Sequence, residues 1–132
     1  MLPNPKIFLP AVFVFTLLFY LITIPACQSK TLTASWYSIE SCKKEGTSGI
    51  MANGKRLDDE RYTAASWDYP FGTIVKVTNL ENQRSVLVEI SDRGPAKRLY
   101  KEGRVIDLSK GAFRQIADLR TGIINVQIAK VK

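Results

Sequence analysis

The tightest constraint on this chain is a succession of short strand-like runs, each too brief to stand alone. Residues 73–78 alternate well enough for a strand buried on one face. Residues 85–91 form a second run, and residues 79–84 between them read as a turn, so the two predict a hairpin. Residues 105–108 predict a short buried strand and residues 123–131 a final one. Earlier in the chain, Trp36 and Tyr37 make residues 33–38 strand-like. Residues 62–65 are the extended part of a mixed stretch, and residues 39–54 read as a polar loop. One helix is expected over residues 110–119, capped by Ser109, with Phe113, Ile116 and Ala117 on one face. Many short strands, one helix and few residues predict a mainly β fold closed into a small barrel, because closure removes exposed edges.

Not all of the 132 residues belong to that body. Residues 1–26 hold a single charge, Lys6, ahead of an apolar run over residues 7–24. A basic start, an apolar stretch and a small residue before a cut site describe a secretory signal. Ile24-Pro25-Ala26-Cys27 resembles a bacterial lipobox, which implies diacylglycerol on Cys27 and cleavage before it. The alternative is an uncleaved anchor, since eighteen residues from 7 to 24 just span a bilayer, though Pro10 interrupts them. Either way the domain is exported and tied to a membrane. The expected division is a lipoprotein signal over 1–26, a tether over 27–32 and one folded domain over 33–132.

The whole chain carries +7; residues 1–26 contribute one lysine and no acid, leaving +6. A basic exported domain suits an acidic partner, such as cell-wall glycan or anionic lipid. Nucleic acid fits the charge, but export argues against it. The basic residues are spread along the chain, apart from a loop with Lys97, Arg98, Lys101 and Arg104. With Cys27 acylated, Cys42 is a lone thiol, either inert and partly buried or reactive.

The chain contains no histidine. This removes a Ser-His-Asp or Cys-His pair and any zinc site built on imidazole. There is no phosphate-binding glycine motif either. No cofactor and no metal are expected, and carboxylates must carry any acid–base chemistry near neutral pH. Two stand out. Asp92 opens Asp92-Arg93-Gly94-Pro95, where a strand runs into a turn, and Asp107 sits inside the next apolar run.

Seven stretches then line up in order: Ala34-Ser-Trp-Tyr-Ser38, Met51-Ala-Asn-Gly54, Thr63-Ala-Ala65, Pro70-Phe-Gly-Thr73, Val77-Thr-Asn-Leu80, Ser91-Asp-Arg-Gly-Pro95 and Gly103-Arg-Val-Ile-Asp-Leu-Ser109. Together they resemble the rare lipoprotein A family over nearly all of residues 33–131. The resemblance implies a six-stranded double-psi β-barrel with one or two short helices. It also implies an endolytic peptidoglycan lytic transglycosylase acting on glycan strands that lack stem peptides. Its location would be the bacterial cell envelope, at the periplasmic face of the outer membrane. Active members use a Glu after the Asn-Gly pair, a His after Thr-Ala-Ala and the Asp of Asp-Arg-Gly-Pro. Here those positions hold Lys55, Ser66 and Asp92. Asp107 matches the family and also the acidic residue of the related barrels in expansins.

Lytic cleavage demands less than hydrolysis. An acid protonates the glycosidic oxygen, and the sugar's own C6 hydroxyl closes a 1,6-anhydro ring. Asp92 is the expected acid and base; the bland alternative is an Asp that shapes a turn. Asp107 either shares the chemistry or fixes a barrel crossover. Arg93 and Arg104 are expected to hold the lactyl carboxylate of muramic acid, and Asn53 to bind substrate. Trp36, Tyr37, Trp67, Tyr69 and Phe71 are aromatic candidates for a sugar groove, with Trp67 the best exposed of them. The expected partners are glycan strands and, through the lipid, a membrane; a monomer is expected. A non-catalytic glycan-binding or expansin-like wall-loosening lipoprotein is the alternative function.

Overall fold

A computed structural model describes residues 2–3 and 31–132. The lipidation of Cys27 and nearly all of the signal fall on residues 4–30, outside the described residues.

Six strands form a closed barrel: β1 (Thr33–Tyr37), β2 (Thr63–Ser66), β3 (Ile74–Asn79), β4 (Ser85–Asp92), β5 (Arg104–Ser109) and β6 (Ile124–Lys130). Around the barrel the order is β1-β5-β2-β4-β3-β6, and β6 returns to β1. The β1/β5 and β2/β4 pairs are parallel and the rest antiparallel. Every expected strand is present within a residue or two of its expected bounds.

Alternation explains the inward faces. In β3, Val75 and Val77 are buried while Lys76 points out; in β4, Val86, Val88 and Ile90 go inward and Leu87 is exposed. Ile106 and Leu108 of β5 complete the lining, and Phe113 and Ile116 of helix α3 (Lys110–Ile116) plug one side without exposure. Ser109 caps α3 as anticipated, accepting from the Ala112 amide at 3.3 Å. The β3–β4 turn is anchored on the end of that helix. Asn79 and Asn82 both donate side-chain amide hydrogens to the Ile116 carbonyl, at 2.8 and 2.9 Å, which satisfies a C-terminal carbonyl of α3.

The α-helices number three among the described residues, rather than one or two. α1 (Ile39–Lys44) occupies the stretch read as a polar loop, and α2 (Lys97–Glu102) the stretch read as a basic loop. α1 depends on its cap. The Ser38 side chain accepts from the Ser41 amide at 3.1 Å, and Ser41 accepts from the Ser38 amide at 2.9 Å. A Glu40–Lys44 pair at 2.9 Å adds little at the surface. With no buried residue to hold it, α1 is expected to lean on that cap. Ser38→Ala should lower stability by about 1 kcal/mol, read as a lower urea midpoint at unchanged slope.

Candidate active site

Strand order brings the two aspartates together. β2 lies between β4 and β5, and Ala65 pairs with Asp92 on one side and Asp107 on the other. At a strand spacing of ~4.8 Å, bent around a closed six-stranded barrel, the two aspartate Cα atoms stand roughly 8 Å apart, one strand on either side of Ala65. All three residues line one cleft of about 320 Å³. Tyr37 from β1, the run from Asp92 to Ala96, and Ser41, Cys42 and Glu45 of the α1 region supply much of the remaining wall. Such a volume is at the small end of ligand sites.

The carboxylates differ in their surroundings. Asp92 is half-buried, and its Oδ1 accepts from the backbone amides of Ala52 and Arg93, both at 2.8 Å. Its Oδ2 has no hydrogen-bond partner among the described residues. Asp107 accepts on Oδ1 from the Ser35 hydroxyl at 2.5 Å. Burial pushes the Asp107 carboxyl above the ordinary carboxylate range; the Ser35 bond and the charge of Arg104 pull it back, while Glu45 and Asp92 push it further up. Gly94 keeps this carboxyl open to the cleft, since a methyl there would lie 3.7 Å from Asp107 Oδ2 and 3.4 Å from the Ala65 methyl.

Tyr37 reaches the same region. Burial, then the negative charges of Asp92 and Asp107, keep its phenol protonated far beyond the ordinary tyrosine range. Its hydroxyl is buried, and neither it nor the nearby Thr63 hydroxyl has a partner in good geometry. Tyr37 thus contributes a neutral ring to the cleft wall, with its hydroxyl buried behind it.

The remaining sequence-predicted residues are distributed around this centre. Arg93 borders the cleft, but it forms no ion pair with Asp92. Its guanidinium donates to the Ser66 and Tyr69 carbonyls at 2.6 and 2.8 Å and stacks over Phe71 at 3.9 Å. Adjacent residues on extended chain point apart, and that leaves the carboxylate free. Arg104 does not line the cleft, though its charge reaches Asp107. Trp67 is 38% exposed, donates its ring N–H to the Pro95 carbonyl at 2.7 Å, and carries the Lys97 ammonium 3.5 Å over its ring. Trp36 packs on Phe113 rather than facing a groove. Asn53 lines a second, much smaller pocket with Lys55, Arg56 and Glu89; its side chain accepts from the Lys55 amide and shapes a turn.

A family model described as lytic transglycolase matches residues 29–128. The chain belongs to the rare lipoprotein A family. Its barrel is accordingly a double-psi β-barrel. A relative named probable endolytic peptidoglycan transglycosylase RlpA, from Synechocystis sp., is 48% identical over 96 residues, covering 72% of this chain and 27% of the relative. The endolytic peptidoglycan transglycosylase RlpA of Pasteurella multocida is 41% identical over 81 residues, 61% of this chain and 26% of that protein. The chain therefore spans about a quarter of the length of these relatives. Among solved structures, a Streptomyces papain inhibitor superposes with TM-score 0.57 at 24% identity, covering 77% of this chain and 93% of that one. An expansin of Clavibacter michiganensis gives TM-score 0.55 at 24% identity, covering 78% and 50%. Those two share the fold.

Within this rare lipoprotein A member, the position after Thr63-Ala-Ala65 is Ser66, which is 1% exposed and accepts from the Asp68 amide at 3.1 Å. Lys55 is exposed and belongs to the smaller pocket. Neither offers an acid to the cleft. Sequence reasoning did not single out Cys42 or Glu45 as cleft residues, nor Ser35 as the partner of Asp107. Ser35 was findable only through pairing, because it sits opposite Asp107 in the β1/β5 register.

Proposed function

We propose that the domain is an exported cell-envelope enzyme that cleaves peptidoglycan glycan strands by the lytic route, leaving a 1,6-anhydromuramyl end. The observation that carries this reading is the pair of carboxylates flanking Ala65 in one cleft, one pushed towards its neutral form. The transglycosylase names of its relatives support it.

In this scheme Asp107, rather than Asp92, holds the proton at the start. It donates to the glycosidic oxygen from Oδ2, the oxygen not engaged by Ser35. The bond to the anomeric carbon breaks with its electron pair staying on that oxygen. Asp92, fixed by two backbone amides, turns its unengaged oxygen towards the cation that develops there. The C6 hydroxyl of the same sugar then bonds to the anomeric carbon, so no water is consumed. Arg93, tied into the adjoining loop, shapes the rim, and Trp67 with Lys97 offers an aromatic and cationic edge for further sugar units.

Digestion of peptide-free glycan strands followed by mass spectrometry tests the proposal. Wild type should release 1,6-anhydromuramyl products, and Asp92→Asn should slow release about 10²-fold. Hydrolytic ends in place of anhydro ends, or an unimpaired Asp92→Asn, would sink it.

A second reading is a non-catalytic wall-binding lipoprotein. It is favoured by Lys55 and Ser66, which leave two family acid–base positions without an acid or base in the cleft. Retention on purified sacculi at physiological salt, with no cleaved product, is its signature.

A further inference from the structure

We propose that Glu45 is the base of the lytic reaction, taking the proton of the C6 hydroxyl as the anhydro ring closes. This deepens the lytic reading above and rests on it.

Three carboxylates line the cleft, and the lytic reading gives roles to two of them. Asp107 is half-buried, bonded by Ser35, and suited to begin as the proton donor. Asp92 has Oδ1 engaged by two backbone amides, so its charge is fixed in position. Glu45 differs from both. It is exposed, and its side chain makes no hydrogen bond or ion pair among the described residues. The nearest lysine in sequence, Lys44, is taken by Glu40 at 2.9 Å. What remains is an unengaged carboxylate on a side chain with three rotatable bonds, free to follow a hydroxyl group as it moves.

Its backbone is nevertheless well held. Glu45 closes α1, and its amide donates to the Ser41 carbonyl at 3.0 Å. Ser41, Cys42 and Glu45 lie on the face of α1 that lines the cleft. The position where the family resemblance expects a glutamate holds Lys55, in the neighbouring pocket. No acid from that loop joins the cleft, and Glu45 brings the third carboxylate from a different element.

The proton balance closes. One proton leaves Asp107 for the departing oxygen, which becomes a hydroxyl. The C6 oxygen forms its bond to the anomeric carbon, and its proton passes to Glu45. Transfer of a proton from Glu45 through solvent to Asp107 restores the starting state, with no water incorporated.

The test compares wild type, Glu45→Gln and Glu45→Asp on peptide-free glycan strands, with kcat and KM measured separately. Binding to sacculi and melting temperature are measured alongside. Glu45→Gln should lose about 10²-fold in kcat with KM, binding and melting temperature unchanged. Glu45→Asp should recover part of the loss. A Glu45→Gln variant within two-fold of wild-type kcat overturns the base role and leaves the lytic reading standing. So does a loss that appears in KM and sacculus binding, which would make Glu45 a binding residue. A wild-type protein that makes no anhydro product overturns the lytic reading, and the role of Glu45 falls with it.

Discussion

Replacing Asp107 by Asn is expected to slow glycan cleavage about 10³-fold while raising the melting temperature at neutral pH. The two effects have one cause. Burial is the largest influence on Asp107 and favours its neutral form. A carboxyl that holds its proton more tightly folded than unfolded supports the fold only at low pH. That support is lost as pH rises from the ordinary value of 3.8 through the higher folded value. At pH 7 keeping this carboxyl in its folded surroundings is therefore a standing cost. Asn removes the charge and still accepts the Ser35 hydroxyl, so the barrel keeps its contact. It has no acidic proton to give. Melting curves between about pH 4 and pH 8 should show wild type losing stability relative to Asp107→Asn as pH rises. A variant that cleaves at the wild-type rate would remove Asp107 from the chemistry. One that melts lower than wild type at every pH would show that the charge is not penalised.

Gly111→Ala is expected to destabilise the domain by about 3 kcal/mol. Helix propensity predicts the opposite sign, because alanine in a helix interior is favoured over glycine by about 1 kcal/mol. Position 111 lies in the first turn of α3, and an added methyl would stand 2.7 Å from the Asp59 carbonyl oxygen and 3.1 Å from the Glu60 Cα. Both obstacles are backbone, which cannot swing aside like a side chain. The same loop is fastened on several sides. Asp59 accepts from the Gly111 amide at 2.7 Å through its carbonyl and from the Ile39 amide at 2.8 Å through its side chain, and Glu60 pairs with Arg114 at 2.7 Å. Relief of the clash would push on the start of α1, and so on the cleft wall that carries Glu45. Urea unfolding decides between the two signs. A midpoint at or above that of wild type would mean that the loop yields freely.

Much of the barrel was legible in the sequence. The alternation Ile74-Val-Lys-Val77 and the run from Val86 to Ile90 state which face goes inward, and Ser109 announces α3. The two missed helices lacked any such mark. Each has six residues and none is buried, so no apolar stripe could reveal it. α1 carries Ser41 where a capping box usually has Glu or Gln, and Ala96 before α2 offers no side-chain cap.

The site divides in the same way. Asp92 was visible because it ends a strand-like run at a Gly-Pro turn, and Asp107 because it interrupts an apolar one. That both flank Ala65 depends on which strands become neighbours, a property no local window contains. The Arg93 guanidinium turns away to carbonyls of another loop, Lys97 lies over Trp67, and Asn53 turns into a different pocket for the same reason. Glu45 stood among polar residues with nothing to distinguish it until the helix was placed against the barrel.

The pairing of the first strand has a consequence for how the molecule comes into being. Among the described residues Thr33 pairs with Arg104 and Asn125, so the first strand must wait for most of the polypeptide before it finds a neighbour. Such long-range closure makes for slow folding. A nascent chain of this design keeps its first strand without a neighbour until most of the sequence has been made.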